Sequence, residues 1–190
     1  MAGVKAVITS DIGPKLAGLI QTIEHPAPLF GVINEYLLQA HRARFKQQVS
    51  PDGVAWQALS PRYAKTKRRN ADKILTFRGF LQGTLRGQYD DKGLEFGTNS
   101  QYGAIHQFGG DIKRKANQRD LYFRQGKDGS VGNRFVKKKK SNFVQTVNVG
   151  PYTIRIPARP WLGTSKADEA TILQKTQRYL QNAVAARNAL

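Results

Sequence analysis

Tyr102-Gly103-Ala104-Ile105-His106-Gln107-Phe108-Gly109-Gly110 and Ile156-Pro157-Ala158-Arg159-Pro160-Trp161-Leu162-Gly163 are the two stretches on which the reading of this chain turns. Each mixes aromatics, glycines and polar groups, where an ordinary core segment is uniformly apolar. Pro157, Pro160 and Gly163 make a rigid, kinked segment around Trp161 that positions its indole. The two stretches are expected to meet in the folded chain. Trp161 reads as a core residue just before the last helix. A second reading makes it an inter-subunit anchor, since Trp and Arg are enriched where interfaces are most sensitive.

Outward from this pair, the chain reads as helices, then strands, a basic arm, further strands and a last helix. Val4 to Thr9 alternates weakly as a first strand. Ile12, Leu16, Leu19, Ile20 and Ile23 recur at helical spacing, with Pro14 suited to the first turn. His25-Pro26-Ala27-Pro28 stops that helix. A second helix is predicted from about Leu29 to Gln48, with Phe30, Ile33, Leu37, Ala40 and Phe45 inward and His41, Arg42 and Lys46 outward. Ser50-Pro51-Asp52-Gly53 is a turn. Trp56 to Asn70 reads as an ordered loop with one short helical turn. Leu75 to Leu85 is predicted as a short helix with Phe77, Phe80, Leu81 and Leu85 inward, weakened by Gly83.

A hairpin follows, Leu85 to Tyr89 and Leu94 to Thr98 around Asp90-Asp91-Lys92-Gly93. From 111 to 140 there are eleven Lys or Arg against three Asp. Residues 111–141 read as an extended basic β-arm, with Leu121-Tyr122-Phe123 pairing Arg134-Phe135-Val136 across Gly126 to Gly129. Phe143 to Val149 and Tyr152 to Ile156 are strands around Gly150-Pro151. The last helix begins near Ser165, with Asp168 as the capping partner and Ile172, Thr176, Tyr179, Leu180 and Ala183 as its inner stripe. The expected fold is α+β: an antiparallel sheet packed against N-terminal and C-terminal helices, one domain over 1–190 with the basic β-arm inserted.

Composition narrows the function. Lys plus Arg is 31 against 13 Asp plus Glu, a net charge of +18. Such an excess repels itself, so an anionic partner is expected: nucleic acid, an acidic protein surface or an acidic membrane. There is no cysteine, which excludes disulfides and thiolate metal sites. The first ten residues lack a signal-peptide pattern, and no apolar run approaches a bilayer span, so a soluble chain is expected.

The residues that carry chemistry elsewhere are sparse. His106 is the only histidine among glycines and aromatics, but no nucleophile or orienting carboxylate can be read beside it. The alternative is that its ring nitrogens satisfy backbone groups at a turn. Asp90, Asp91 and Glu95 flank a hairpin turn and make no acid–base pair. No phosphate-cradling loop is present. No catalytic, metal or cofactor residue is therefore assigned. The stronger signal is two basic clusters, Arg62, Lys65, Lys67, Arg68 and Arg69, and Lys113, Arg114, Lys115 with Lys137, Lys138, Lys139 and Lys140. Tyr122, Phe123 and Phe135 interleave with the second, as in single-strand binders.

Four motifs together resemble the phage virion morphogenesis family of Mu-like and P2-like phages. Pro51 to Tyr63 is similar to its "DG-x-x-W-x-x-L-S" stretch. Lys73 to Leu81 matches "K-x-L-x-x-x-G-x-L". Phe96-Gly97-Thr98-Asn99 leads into Tyr102 to Gly110, the "HQFGG" segment. Ile156 to Gly163 is similar to "IPARPFLG", with Trp161 in place of Phe. The resemblance implies a structural virion protein at the head-tail junction, a tail completion or terminator component and not an enzyme. It implies a homo-oligomeric ring, sixfold by analogy with tails, in the neck or at the top of the tail, assembled in the host cytoplasm. Neighbouring connector and tail tube proteins are the implied partners, with non-specific contact to genomic DNA and none to membrane. The interface residues expected are Tyr102, His106, Gln107, Phe108, Arg159 and Trp161. The basic arm residues Lys113, Arg114, Lys115 and Lys137 to Lys140 would meet DNA or an acidic partner. The other reading of the charge is a sequence-non-specific nucleic-acid-binding protein.

Overall fold

The computed structural model describes residues 19–185. The strand expected at Val4 to Thr9, and Ile12, Pro14 and Leu16 of the first helix, lie outside the described residues. Residues 19–24 are helical and break at His25-Pro26, where proline removes a donor and disfavours helix before it. Helix α1 runs Ala27–Gln47, with a proline in its first turn, where the missing N–H would be unpaired anyway. Its buried residues include Asn34, Leu37, His41, Arg44 and Phe45. That stripe corrects one expectation: His41 faces the interior, not solvent, because it lies one turn beyond Leu37.

Helix α2 is Pro61–Thr66, capped by the Ser60 hydroxyl, which accepts from the Tyr63 N–H. Helix α3 is only Phe80–Gly83. The longer helix predicted from Leu75 does not form, because Leu75 (φ 54°) and Gly79 (φ 80°) both adopt left-handed backbone, which a right-handed helix cannot contain. Leu81 and Leu85 are buried, whereas Phe77 and Phe80 are exposed. Strands β1 (Arg86–Asp90) and β2 (Gly93–Gly97) form the expected antiparallel hairpin. Its pleat turns Tyr89, Leu94 and Phe96 one way. Gly31 of α1 packs close to Tyr89, and the Phe96 and His41 rings lie 4.8 Å apart.

Helix α4 (Gly103–Phe108) comes next, and helix α5 (Lys166–Ala185) is the last described element. At the α5 N-terminus the Ser165 hydroxyl accepts from the Asp168 N–H, and the Asp168 carboxylate accepts from the Ser165 N–H. This reciprocal capping box satisfies two otherwise unpaired donors. The predicted inner stripe of α5 is half-buried at every position. The core of this first unit gathers Phe45, Trp56, Leu81, Leu85 and Trp161, with Leu38, Ile74, Leu75, Phe96 and Leu162 against it.

The second compact unit is Gly109–Pro157. Strand β3 (Gly110–Arg114) pairs antiparallel with β6 (Tyr152–Ile156) in five pairs. Strand β4 (Asn117–Phe123) pairs with β5 (Phe143–Val149) in seven. The two ladders share one register, from Gly110 opposite Ile156 to Phe123 opposite Phe143, with two residues skipped on each side. They are halves of one ribbon, interrupted where Pro151 has no N–H to give. At about 3.4 Å per residue the ribbon is roughly 45 Å long. This corrects the expected partner of Leu121-Tyr122-Phe123. Residues Arg134 to Val136 only flank that strand, through Val136 N–H to the Tyr122 carbonyl (2.9 Å) and a Phe123–Phe135 ring contact at 5.2 Å. The molecule is α+β, and among the described residues its strands lie in separate antiparallel pairs and not in one sheet.

Gly79 and Gly83 separate backbone strain from helix propensity. Gly79→Ala places a side chain at φ 80° and is expected to lower stability by about 1–2 kcal/mol. Gly83, with open space around it, is expected to gain about 0.4–1 kcal/mol as alanine. Urea midpoints of the two variants moving in opposite directions are the check.

Candidate functional site

The two opening stretches do meet. The segment from Arg159 to Gly163 has no regular secondary structure, so its backbone groups need side-chain partners. Gln107 supplies them: its Oε1 accepts from the Trp161 and Leu162 N–H groups, both at 2.9 Å, and its Nε2 donates to the Leu162 carbonyl at 2.9 Å. The Arg159 N–H donates to the His106 carbonyl at 2.8 Å. The Trp161 indole donates to the Gly103 carbonyl at 3.2 Å. A Cβ on Gly103 would sit 3.1 Å from Thr98 and 3.4 Å from the Trp161 ring, so helix and indole approach closely because residue 103 is glycine. From the other side the Trp56 indole donates to the Pro160 carbonyl at 2.7 Å.

Arg159 is buried without a carboxylate. Its Nε donates to the Gln57 carbonyl (2.7 Å) and its Nη2 to the Ala58 carbonyl (3.1 Å). Burial pulls its pKa down, yet a guanidinium stays cationic. His106 is half-buried. Burial first, and the Arg159 charge second, hold its pKa below the ordinary histidine value. Its Nδ1 has no hydrogen-bond partner among the described residues, so the expectation that both ring nitrogens satisfy backbone groups is corrected.

Of the six residues expected at an interface, Arg159 and Trp161 are therefore spent inside the chain. Trp161 is 2% exposed and acts as the core tryptophan. Gln107 is committed to the clamp. Tyr102 and Phe108 are the exposed members, Phe108 at 77%. The arm lysines are exposed. They fall into two groups, however: Lys113 to Lys115 lie at the junction of the two ladders. Lys137 to Lys140 lie beside the far end of the ribbon, about 30 Å further along. No group of three or more His, Cys, Asp or Glu able to hold a metal occurs among the described residues.

Sequence reasoning missed a buried polar cluster on the α1 side. Arg44 pairs with Asp168, and its Nη1 donates to the Gly163 carbonyl at 2.5 Å. His41 donates from Nδ1 to the Leu37 carbonyl at 2.7 Å, while Nε2 accepts from the Gly163 N–H at 3.4 Å. Those partners require the neutral tautomer. Burial is the main cause of its lowered pKa, reinforced by Arg44. Burial alone would raise the Asp168 pKa, but hydrogen bonds from Ser165 and Tyr36 and the Arg44 charge outweigh it and hold the carboxyl low. The signal was present: Leu37, His41 and Arg44 recur at helical spacing on one face. Lys67, a member of the first basic cluster in the sequence, is buried. Its ammonium donates to the carbonyls of Asn70, Lys73 and Thr76, and burial lowers its pKa against the charge of Asp72.

The model of the phage virion morphogenesis family matches residues 8–181. The chain is 27% identical over 171 residues to Mu-like prophage FluMu G protein 2 of Haemophilus influenzae, covering 90% of each. No solved structure matches.

Substitutions and pH test the buried histidines and the Arg44–Asp168 pair. Asp168→Ala strands the Arg44 charge and is expected to cost about 3–5 kcal/mol, read as a fall in unfolding free energy. Stability is also expected to fall as pH drops below about 6.5, because the unfolded chain takes up protons that buried His41 and His106 resist. Below about 3.9, stability from Asp168 is lost as pH falls through its folded value. His41→Asn keeps a donor for Leu37 and removes one titration. Its urea midpoint should change less between about pH 7.5 and about pH 5.5 than that of the wild type.

Proposed function

The chain belongs to the phage virion morphogenesis family, and on that premise we propose that it completes the tail at the head-tail junction. In this reading it is a tail completion or terminator protein, working as a homo-oligomeric ring in the neck or at the top of the tail. Sixfold symmetry is the choice by analogy with tails, and the role is structural, without turnover. Connector and tail tube proteins are its neighbours.

The observation that carries this reading is the Gly109–Pro157 unit. It forms twelve ladder pairs, yet none of its residues is buried. An isolated two-stranded ribbon is marginal in water. A long ribbon with no core of its own suits a protein whose working state is an assembly, where a neighbour covers it.

A second reading rests on charge. Gly109–Pro157 holds twelve Lys or Arg against three Asp. Asp111 bonds Arg155, Asp120 bonds Thr146 and Asp128 bonds Ser130. In a neck ring these cations would face exiting DNA. In the alternative, the protein binds nucleic acid without sequence preference as its main task, with affinity falling steeply as salt rises.

Electron microscopy of lysates from a phage with a stop codon in this gene distinguishes the readings. Filled heads beside separate tails are expected for a joining role, and tails of abnormal length for a terminator role. Normal infectious particles overturn the structural reading. Deleting Lys137 to Lys140 is expected to reduce infectious titre while thermal unfolding of the protein stays unchanged. An unchanged titre removes the arm from the assembly step.

A further inference from the structure

Helix α1 has no acidic residue in its own first turn, but carboxylates from neighbouring segments gather at its start, and basic residues occupy its last turns. At its start, the Asp91 carboxylate accepts from the Ala27 N–H and from the His25 ring, both at 3.1 Å. This fastens the β1–β2 turn to the helix N-terminus, where an anion is favoured. Glu24 and Asp90 are exposed beside it, and so is Lys92 of the same turn, so the three carboxylates outnumber the one lysine there. Asp90 Oδ1 is occupied by the Lys92 and Gly93 N–H groups, while its second oxygen has no partner among the described residues. About 25 Å along the helix, a cleft of about 480 Å³ opens over Phe45. Arg42, Lys46 and Lys73 line it with Thr76 and Gln82, and no carboxylate does.

None of the three cations has an ion pair among the described residues. Arg42 and Lys46 lie near the helix C-terminus, where the helix dipole favours cations. Lys73 comes from a separate loop, so the dipole does not account for it. Three converging cations without a counter-charge repel one another. A cleft of this size falls in the range that takes small ligands, and it is too small for a DNA duplex. A tight acidic turn fits both its size and its charge.

We propose that the basic cleft of Arg42, Lys46 and Lys73 receives the acidic turn of Glu24, Asp90 and Asp91 from a second copy of this chain. The two patches differ and lie at opposite ends of one rigid helix. Each copy then offers a turn at one end and a cleft at the other, a heterologous contact of the kind that closes into rings. The inference deepens the ring reading above and rests on it.

Sedimentation velocity on the full chain at low salt tests it, with circular dichroism confirming that each variant folds. The wild type is expected to form an oligomer that dissociates as salt rises. R42E/K46E/K73E and E24K/D90K are each expected to weaken association on the order of tenfold per reversed charge. Mixing these two variants is expected to restore the oligomer, because each now carries the complement of the other. Reversals that leave association unchanged, or a mixture that stays dissociated, overturn this contact while the wild-type ring survives. A cleft reversal that abolishes DNA retention and spares the oligomer also overturns it, assigning the cleft to nucleic acid. A wild-type chain that remains monomeric overturns both the contact and the ring.

Discussion

Arg159 to Gly163 runs without regular secondary structure around two buried side chains, Arg159 and Trp161, so its backbone groups must find partners outside any helix or ladder. Gln107 takes three of its bonds, Trp56 a fourth, and Arg44 and His41 hold Gly163. Each unpaired group would cost on the order of 1–3 kcal/mol. The corner is therefore the point through which α1, α4, the Trp56 loop and the start of α5 are tied together. Trp161 occupies the middle because its indole both fills volume and donates to the Gly103 carbonyl.

Buried charge in this first unit is handled in two ways. Arg44 meets a carboxylate and a carbonyl. Arg159 and Lys67 meet carbonyls alone. With 31 basic and 13 acidic residues, the chain has few carboxylates to spare for its interior. Backbone carbonyls substitute for them, since each is an acceptor that loops leave free. The cations so used brace loops, and they are not available to a partner. The basic character that an anion would meet resides in the exposed lysines and arginines.

The Gly109–Pro157 ribbon obeys the opposite physics. Its register is continuous and its strands are regular, yet it encloses no core. Apolar side chains line one face near its base, with Ile112, Ile154 and Tyr152. Nearer the tip they line the other face, with Leu121, Phe123, Val147 and Val149, as alternate pleat positions dictate. Backbone pairing sets its shape, and its own residues leave those faces uncovered.

Local physics made much of this chain legible in its sequence. Helical periodicity revealed α1 and α5, prolines marked the break at His25-Pro26, Ser165 with Asp168 announced a cap, and Asp90 to Gly93 announced a hairpin. The meeting of Tyr102 to Gly110 with Ile156 to Gly163, and the family itself, were also legible. Other features depended on contacts distant in sequence. Arg44 and Asp168 stand 124 residues apart, and nothing near either one specifies the other. The ribbon's register is decided by the whole run of pairs, so Leu121 to Phe123 pair with Phe143 to Gln145 and not with the nearer Arg134 to Val136. A periodic pattern specifies an element and its face. Which buried charge is paired, and which strand is the partner, is decided only when the packed chain brings the groups together and excludes water from them.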